Sequence, residues 1–288
     1  MIIDAHIHLW SPLRGDGMGT ERQALSWGRA RQGDRIYYCC PPSFEDSQST
    51  YQRALAHMDM LGIDKAVVLQ EFMDGKQDDY LTQVRKLAPK RFSCTALFDQ
   101  AYLDDPLGSY QQAVAMGLQG FLVKTPSPFD EIATPRLQPL WQACASDGLP
   151  VVLKNGTPQD IRKLVKLAPG LKIVESHFAG FLGGSREEWE ERLRIAASEP
   201  DVYVDAGAIT FRYKYPFPES QQALQHAVDI CGADKISWGS DYPRPGLVVD
   251  ASYKQQLEFI TVECDFLSEE QRAAILGGTA DKVYCWER

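Results

Sequence analysis

Short apolar runs alternate with longer amphipathic stretches along this chain, and that alternation constrains the fold more than any other feature. The apolar runs are Ile2–Leu9, Lys65–Gln70, Phe92–Phe98, Gln119–Lys124, Pro150–Lys154, Lys172–Ser176, Val202–Ala206 and Ile236–Gly239. They are rich in Val, Ile and Phe with few alternating polar positions, as suits strands buried on both faces. The stretches between them carry helix punctuation. Thr157-Pro158-Gln159-Asp160 combines a cap residue, a Pro at the first helical position and an acid in the first turn. Ser185–Glu188 and Ser268–Gln271 read as capping boxes. Strand, helix, strand repeated about eight times points to an α/β fold, one (β/α)8 TIM barrel over residues 1–288. A doubly wound open sheet would place a Gly-rich phosphate loop after the first strand. Asp4-Ala5-His6-Ile7-His8 stands there instead.

One long irregular insertion, Ser11 to Ser49 (residues 11–49), follows the first strand. A loop of that length inside a domain is usually functional, and on a barrel it overhangs the catalytic face. It reads as a lid or substrate loop, with a contact in a homo-oligomer equally open. Composition narrows the class further. Hydrophobic residues make up 44% of the 288 and charged residues 24%, ordinary values for a globular protein. The net charge of −9, with no Lys/Arg-dense stripe, argues against a nucleic-acid partner. No apolar run approaches the roughly 20 residues of a membrane span, and the N-terminus lacks the basic segment and apolar core of a signal peptide. Seven scattered cysteines without a CxxC pair fit reduced thiols in a cytoplasmic enzyme.

On a barrel, residues at the C-terminal strand ends converge on one site. His6 and His8 end the first strand, two apart and therefore on one face. Lys124 ends the fourth, Lys154 the fifth, His177 the sixth and Asp241 the eighth. Three of the five histidines thus fall at strand ends, while His57 and His226 sit in helical stretches and read as structural. His6, His8, His177 and Asp241 could hold one divalent metal ion, zinc or manganese, with a position left for water. Asp241 or His177 could accept that water's proton, or His177 could polarise a carbonyl. Lys124, Lys154, Arg212 and Arg244 would contact an anionic small-molecule substrate. Trp10, Tyr242 and the aromatics of Phe211–Tyr215 stand where a pocket wall or rim packing would need them.

Asp4-Ala5-His6-Ile7-His8, Ser176–Gly180, Trp238–Pro243 and Ile275–Ala280 together resemble the amidohydrolase superfamily, and its branch of small TIM-barrel lactonases and decarboxylases. The resemblance spans essentially the whole chain and its motifs occur in the family's order. It implies that His6 and His8 are first-strand metal ligands, Asp241 the eighth-strand ligand or base, and His177 the sixth-strand catalytic histidine. The chain departs from the pattern at the fifth strand, where many members supply a histidine and this one has Lys154. Lys124 stands at the strand where some members carry a carboxylated lysine, but without the fifth-strand histidine a binuclear centre is not expected. The resemblance also includes lactonases that act without a metal. The expected activity is hydrolysis, water attacking the carbonyl of a small, carboxylated substrate, with a lactone favoured. The alternative is a metal-dependent non-oxidative decarboxylase of an aromatic or muconate-type acid.

Overall fold

The computed structural model describes residues 1–13, 15, 21–125 and 131–286. β1 (Ile3–Ile7) opens the chain, with every side chain buried. Three short strands follow within the insertion: β2 (Arg22–Ala24), β3 (Arg29–Gln32) and β4 (Arg35–Tyr38), paired antiparallel in that order. The remaining strands are β5 (Lys65–Val68), β6 (Phe92–Cys94), β7 (Ala96–Leu97), β8 (Phe121–Lys124), β9 (Val151–Lys154), β10 (Ile173–Glu175), β11 (Val202–Asp205) and β12 (Ile236–Ser237).

All contacts among the barrel strands are parallel, running β1-β5-β6 and then β7-β8-β9-β10-β11-β12. β6 and β7 are halves of one run that meets β5 on one side and β8 on the other. Thr95 N donates to Val68 O at 2.9 Å and Ala96 N to Gly120 O at 2.8 Å. The circuit returns to β1 through Ala5 N to Trp238 O at 2.8 Å, Asp241 N to His6 O at 2.9 Å and His8 N to Tyr242 O at 2.7 Å. The segment after β12 is thereby bonded to the end of β1, which carries Asp241 to the two histidines.

β8 and β9 each bury three apolar residues and leave only the terminal lysine partly exposed. The sheet interior is thus dry until its C-terminal rim, where polar chemistry begins. Helices cover the outside. The helix Pro158–Leu167 starts at a reciprocal box: Asp160 N donates to Thr157 Oγ1 at 3.1 Å and Thr157 N to Asp160 Oδ2 at 2.9 Å. Loss of such a cap costs about 1 kcal/mol. Its buried face is Ile161 and Leu164, each worth roughly 1.5–3 kcal/mol of apolar burial. Ser268–Gln271 also forms a complete box. Ser185 caps the helix Arg186–Ser198 by accepting from Glu188 N at 3.2 Å. The reciprocal half read from the sequence is not made, and Glu188 lines the cavity described below.

Of the Ser11–Ser49 insertion, residues 14 and 16–20 lie outside the described residues. The rest is tied to the barrel mouth. Trp10, fully buried, donates from Nε1 to Ser47 O at 2.9 Å, and Arg22 Nη1 donates to Met73 O at 2.9 Å. Trp10 and Tyr242 are therefore packing residues, 0% and 3% exposed. All seven cysteines are free thiols.

Candidate active site

His6 is held in one orientation by three elements. Its Nδ1 donates to the Asp205 carboxylate at the end of β11, whose other oxygen accepts from Gly207 N at 2.7 Å. Gly207 and Gly239 pack against the ring and its stem, and a Cβ at either would come within 2.5 Å of His6 atoms. With Nδ1 spent on Asp205, His6 Nε2 points inward, buried and without a hydrogen-bond partner. Burial disfavours a charge here, but Asp205 and then Asp241 outweigh it and raise the His6 pKa to about 9. His8 is oriented in the same manner, its Nδ1 donating to Leu69 O at 2.8 Å and its Nε2 lying 2.9 Å from Asp241 Oδ1. Acceptors behind metal-binding imidazoles fix the tautomer in just this way.

Asp241 sits 3.8 Å from His6 Nε2. Burial alone would raise its pKa, yet the hydrogen bond and charge of His8, then the charge of His6, hold it far below the carboxylate range. The turn behind it is clamped by Asp4, which accepts from Ser240 N at 2.9 Å and from Tyr253 Oη at 2.7 Å. His177 stacks on His6 with ring centroids 5.1 Å apart. Burial, then the charges of Lys154 and His6, push its pKa down to about 3, so the ring is neutral. The ligand atoms of His6, His177 and Asp241 lie within 4.8 Å of one another. Two imidazole nitrogens and a carboxylate oxygen, one of them an orphaned buried atom, fit a single transition-metal ion. The fit does not extend to two ions, because the fifth strand contributes Lys154 rather than a ligand.

The sequence reading missed three acids. Glu71 and Asp74 follow β5, and Asp205 closes β11; inspection of those strand ends by the rule applied to the others would have found them. Lys154 does not stand alone, since its ammonium is paired with the Glu71 carboxylate. Burial would raise the pKa of Glu71, but Lys154 and then His8 bring it down to about 2. Arg244 is likewise engaged, donating to Cys39 O at 2.6 Å and lying 3.6 Å from Asp74. Burial raises the Asp74 pKa, with His8 and Arg244 offsetting only part of the shift. Lys124 pairs in register with Lys154 across β8 and β9 and has no carboxylate partner among the described residues. His57 bonds Tyr242 Oη at 3.1 Å and His226 bonds Glu190 at 2.9 Å, both on outer helices.

A cavity of about 470 Å³ opens beside His177, walled by Asn155, Arg192, Ala208, Phe211 and Arg212. Asn155, His177, Ala208 and Arg212 all have positive φ, between 53° and 69°, and Asp241 has φ 58°. Left-handed residues other than Gly cost about 1–2 kcal/mol each, and strain of this kind gathers where a site must be held against preference. Arg212 donates to Leu182 O at 2.9 Å and is itself exposed to the cavity.

Solved structures of low sequence identity share this fold. A probable 2-pyrone-4,6-dicarboxylic acid hydrolase of Acinetobacter baumannii, solved with citric acid bound, superposes with a TM-score of 0.70 at 17% identity, covering 98% of each chain. An amidohydrolase of Burkholderia multivorans gives the same TM-score of 0.70 and 17% identity over 98% of each chain. The 2,6-dihydroxybenzoate decarboxylase of Rhizobium gives 0.59 at 15% identity, covering 82% of this chain and 88% of its own. No curated protein matches in sequence. A family model described as amidohydrolase matches residues 3–286. The chain is a member of the amidohydrolase family.

Proposed function

We propose that this protein is a hydrolase that directs water onto the carbonyl of a small carboxylated lactone. The observation that carries the reading is the buried carboxylate of Asp241 set among three imidazoles, 2.9 Å from His8 Nε2 and 3.8 Å from the unpartnered His6 Nε2. A carboxylate held ionised among imidazoles is placed to take a proton from water. His6, His177 and Asp241 are the residues that would hold one zinc or manganese ion. When bound, such an ion supplies Lewis acidity that eases deprotonation of water and polarises a carbonyl. Asp241 orients the water and accepts its proton. Asp205 and Leu69 O keep the two first-strand imidazoles fixed, so no reorganisation is needed during reaction. The substrate enters beside His177, with its carboxylate toward Arg212 and Lys124, the rim cations not already answered by an acid. Lys154 and Arg244 are engaged by Glu71 and Asp74.

Relatives in fold include both a probable pyrone-dicarboxylate hydrolase and a decarboxylase. Hydrolysis is favoured by the placement of Asp241, a buried carboxylate 2.9 Å from His8 Nε2 and 3.8 Å from His6 Nε2 that can accept a proton from water, whereas decarboxylation needs a group that delivers one to carbon. The test is turnover of a panel of carboxylated lactones and aromatic acids by wild type and by Asp241→Asn. Ring opening by wild type and none by the variant supports the reading. Carbon dioxide release without ring opening replaces it with the decarboxylase.

A further inference from the structure

The turn that presents His177 is held from outside by one buried guanidinium. His177, Phe178 and Ala179 take consecutive left-handed conformations, with φ of 53°, 53° and 54°. Such residues normally occur singly, so a run of them persists only where the surroundings dictate it. Two supports are visible. Phe178 is fully buried against Phe181 and Trp189, with ring centroids 5.6 Å and 5.5 Å away. Arg192, 6% exposed on the helix Arg186–Ser198, reaches back and donates from Nη1 to the Ala179 carbonyl oxygen at 2.8 Å. Among the described residues this is its one hydrogen-bond acceptor. Arginine is almost never buried without a partner, and here the partner is the main chain of the strained turn. Gly180 makes the reach possible, since a Cβ there would lie 2.1 Å from Arg192 Nη1.

We propose that Arg192 is a positioning residue for His177: its grip on the Ala179 carbonyl fixes the left-handed turn, and with it the angle at which the imidazole stacks on His6. The catalytic consequence rests on the function proposed above, but the clamp can be tested without a substrate. Diethyl pyrocarbonate acylates accessible neutral imidazoles, and the tryptic peptide Ile173–Arg186 contains His177 as its one histidine. In Arg192→Met the turn relaxes, and mass spectrometry of that peptide should show His177 acylated about fivefold faster, the scale of one lost hydrogen bond. His57, on the helix Tyr51–Leu61 and bonded to Tyr242, serves as the unchanged reference. On a turned-over lactone the same variant should lose about tenfold in kcat with KM little altered, the mark of a misplaced group rather than a lost substrate contact. Wild-type acylation of His177 in folded Arg192→Met overturns the proposal. A raised KM at unchanged kcat also overturns it, making Arg192 a substrate contact. If Arg192→Met does not fold, Arg192→Gln decides: its shorter side chain cannot reach the Ala179 carbonyl, so faster acylation supports the clamp and a wild-type rate contradicts it. If no lactone is turned over by wild type, the proposed function fails while the acylation result still settles the clamp.

Discussion

Two sets of side chains at the barrel mouth are built on opposite plans. Where β1 meets the segment after β12, each histidine has one nitrogen satisfied from behind, and His6 Nε2 is left aimed inward with no partner. Close beside them, Lys154 is matched to Glu71, and Arg244 to Asp74 and Cys39 O. One set stores unmet bonding capacity, which is what a ligand or reacting group needs. The other set is neutralised, which holds two cations close to the histidines without leaving their charge free. The difference teaches that a cation at a strand end is not by itself a substrate-binding group. What answers it decides.

Four substitutions sharpen this contrast. Asp241→Asn should have the largest effect, lowering turnover by about 10²–10⁴-fold as loss of a general base does, and it should lower thermal stability too, because the buried charge that His8 and His6 hold ionised is lost. Steady-state kinetics and a melting curve read both. Lys154→Met should act on stability, because it strands the Glu71 carboxylate, 3% exposed. Breaking a buried pair costs roughly 3–5 kcal/mol, and chemical denaturation should show most of it recovered in Lys154→Met/Glu71→Gln. A lone variant as stable as wild type would mean that Glu71 and Lys154 are not coupled. Asp205→Asn should weaken metal retention or activity by about 10–100-fold, since it removes the acceptor that orients His6; chelator competition measures it.

The smallest effect concerns pH. Burial raises the Glu175 pKa from 4.5 to about 8, with Arg192 only partly offsetting it. The folded protein therefore holds a proton that the unfolded chain releases. That contribution is complete below the unfolded value and is lost as pH rises toward 8. Glu175→Gln removes the dependence, so its melting temperature should gain on wild type by a few degrees between about pH 5 and pH 8. Parallel curves would show that the carboxyl is not held neutral.

The barrel was legible because its strands are apolar on both faces and its helices carry caps in the sequence. His6, His8, His177 and Asp241 were legible because the strand-end rule places them and because histidine is scarce in this chain. The acids were not. Glu71 and Asp74 lie in a polar stretch past β5, where carboxylates are ordinary, and only the fold shows Lys154 and Arg244 reaching them. Nor does any sequence pattern announce the left-handed turn at His177, whose support comes from Arg192 on a helix beyond it. The insertion read as irregular because its strands are short and polar, and pairing among β2, β3 and β4 is a tertiary outcome.

The most direct test of the central claim is proton release by the purified protein on carboxylated lactones, followed by pH-stat before and after chelation. Opening a lactone ring to a hydroxy acid releases one proton per turnover at neutral pH. The account predicts such release by wild type and its loss in Asp241→Asn, with chelator sensitivity reporting whether His6, His177 and Asp241 work through a bound ion. Absence of ring opening across the panel, with carbon dioxide evolved from an aromatic acid, would contradict it.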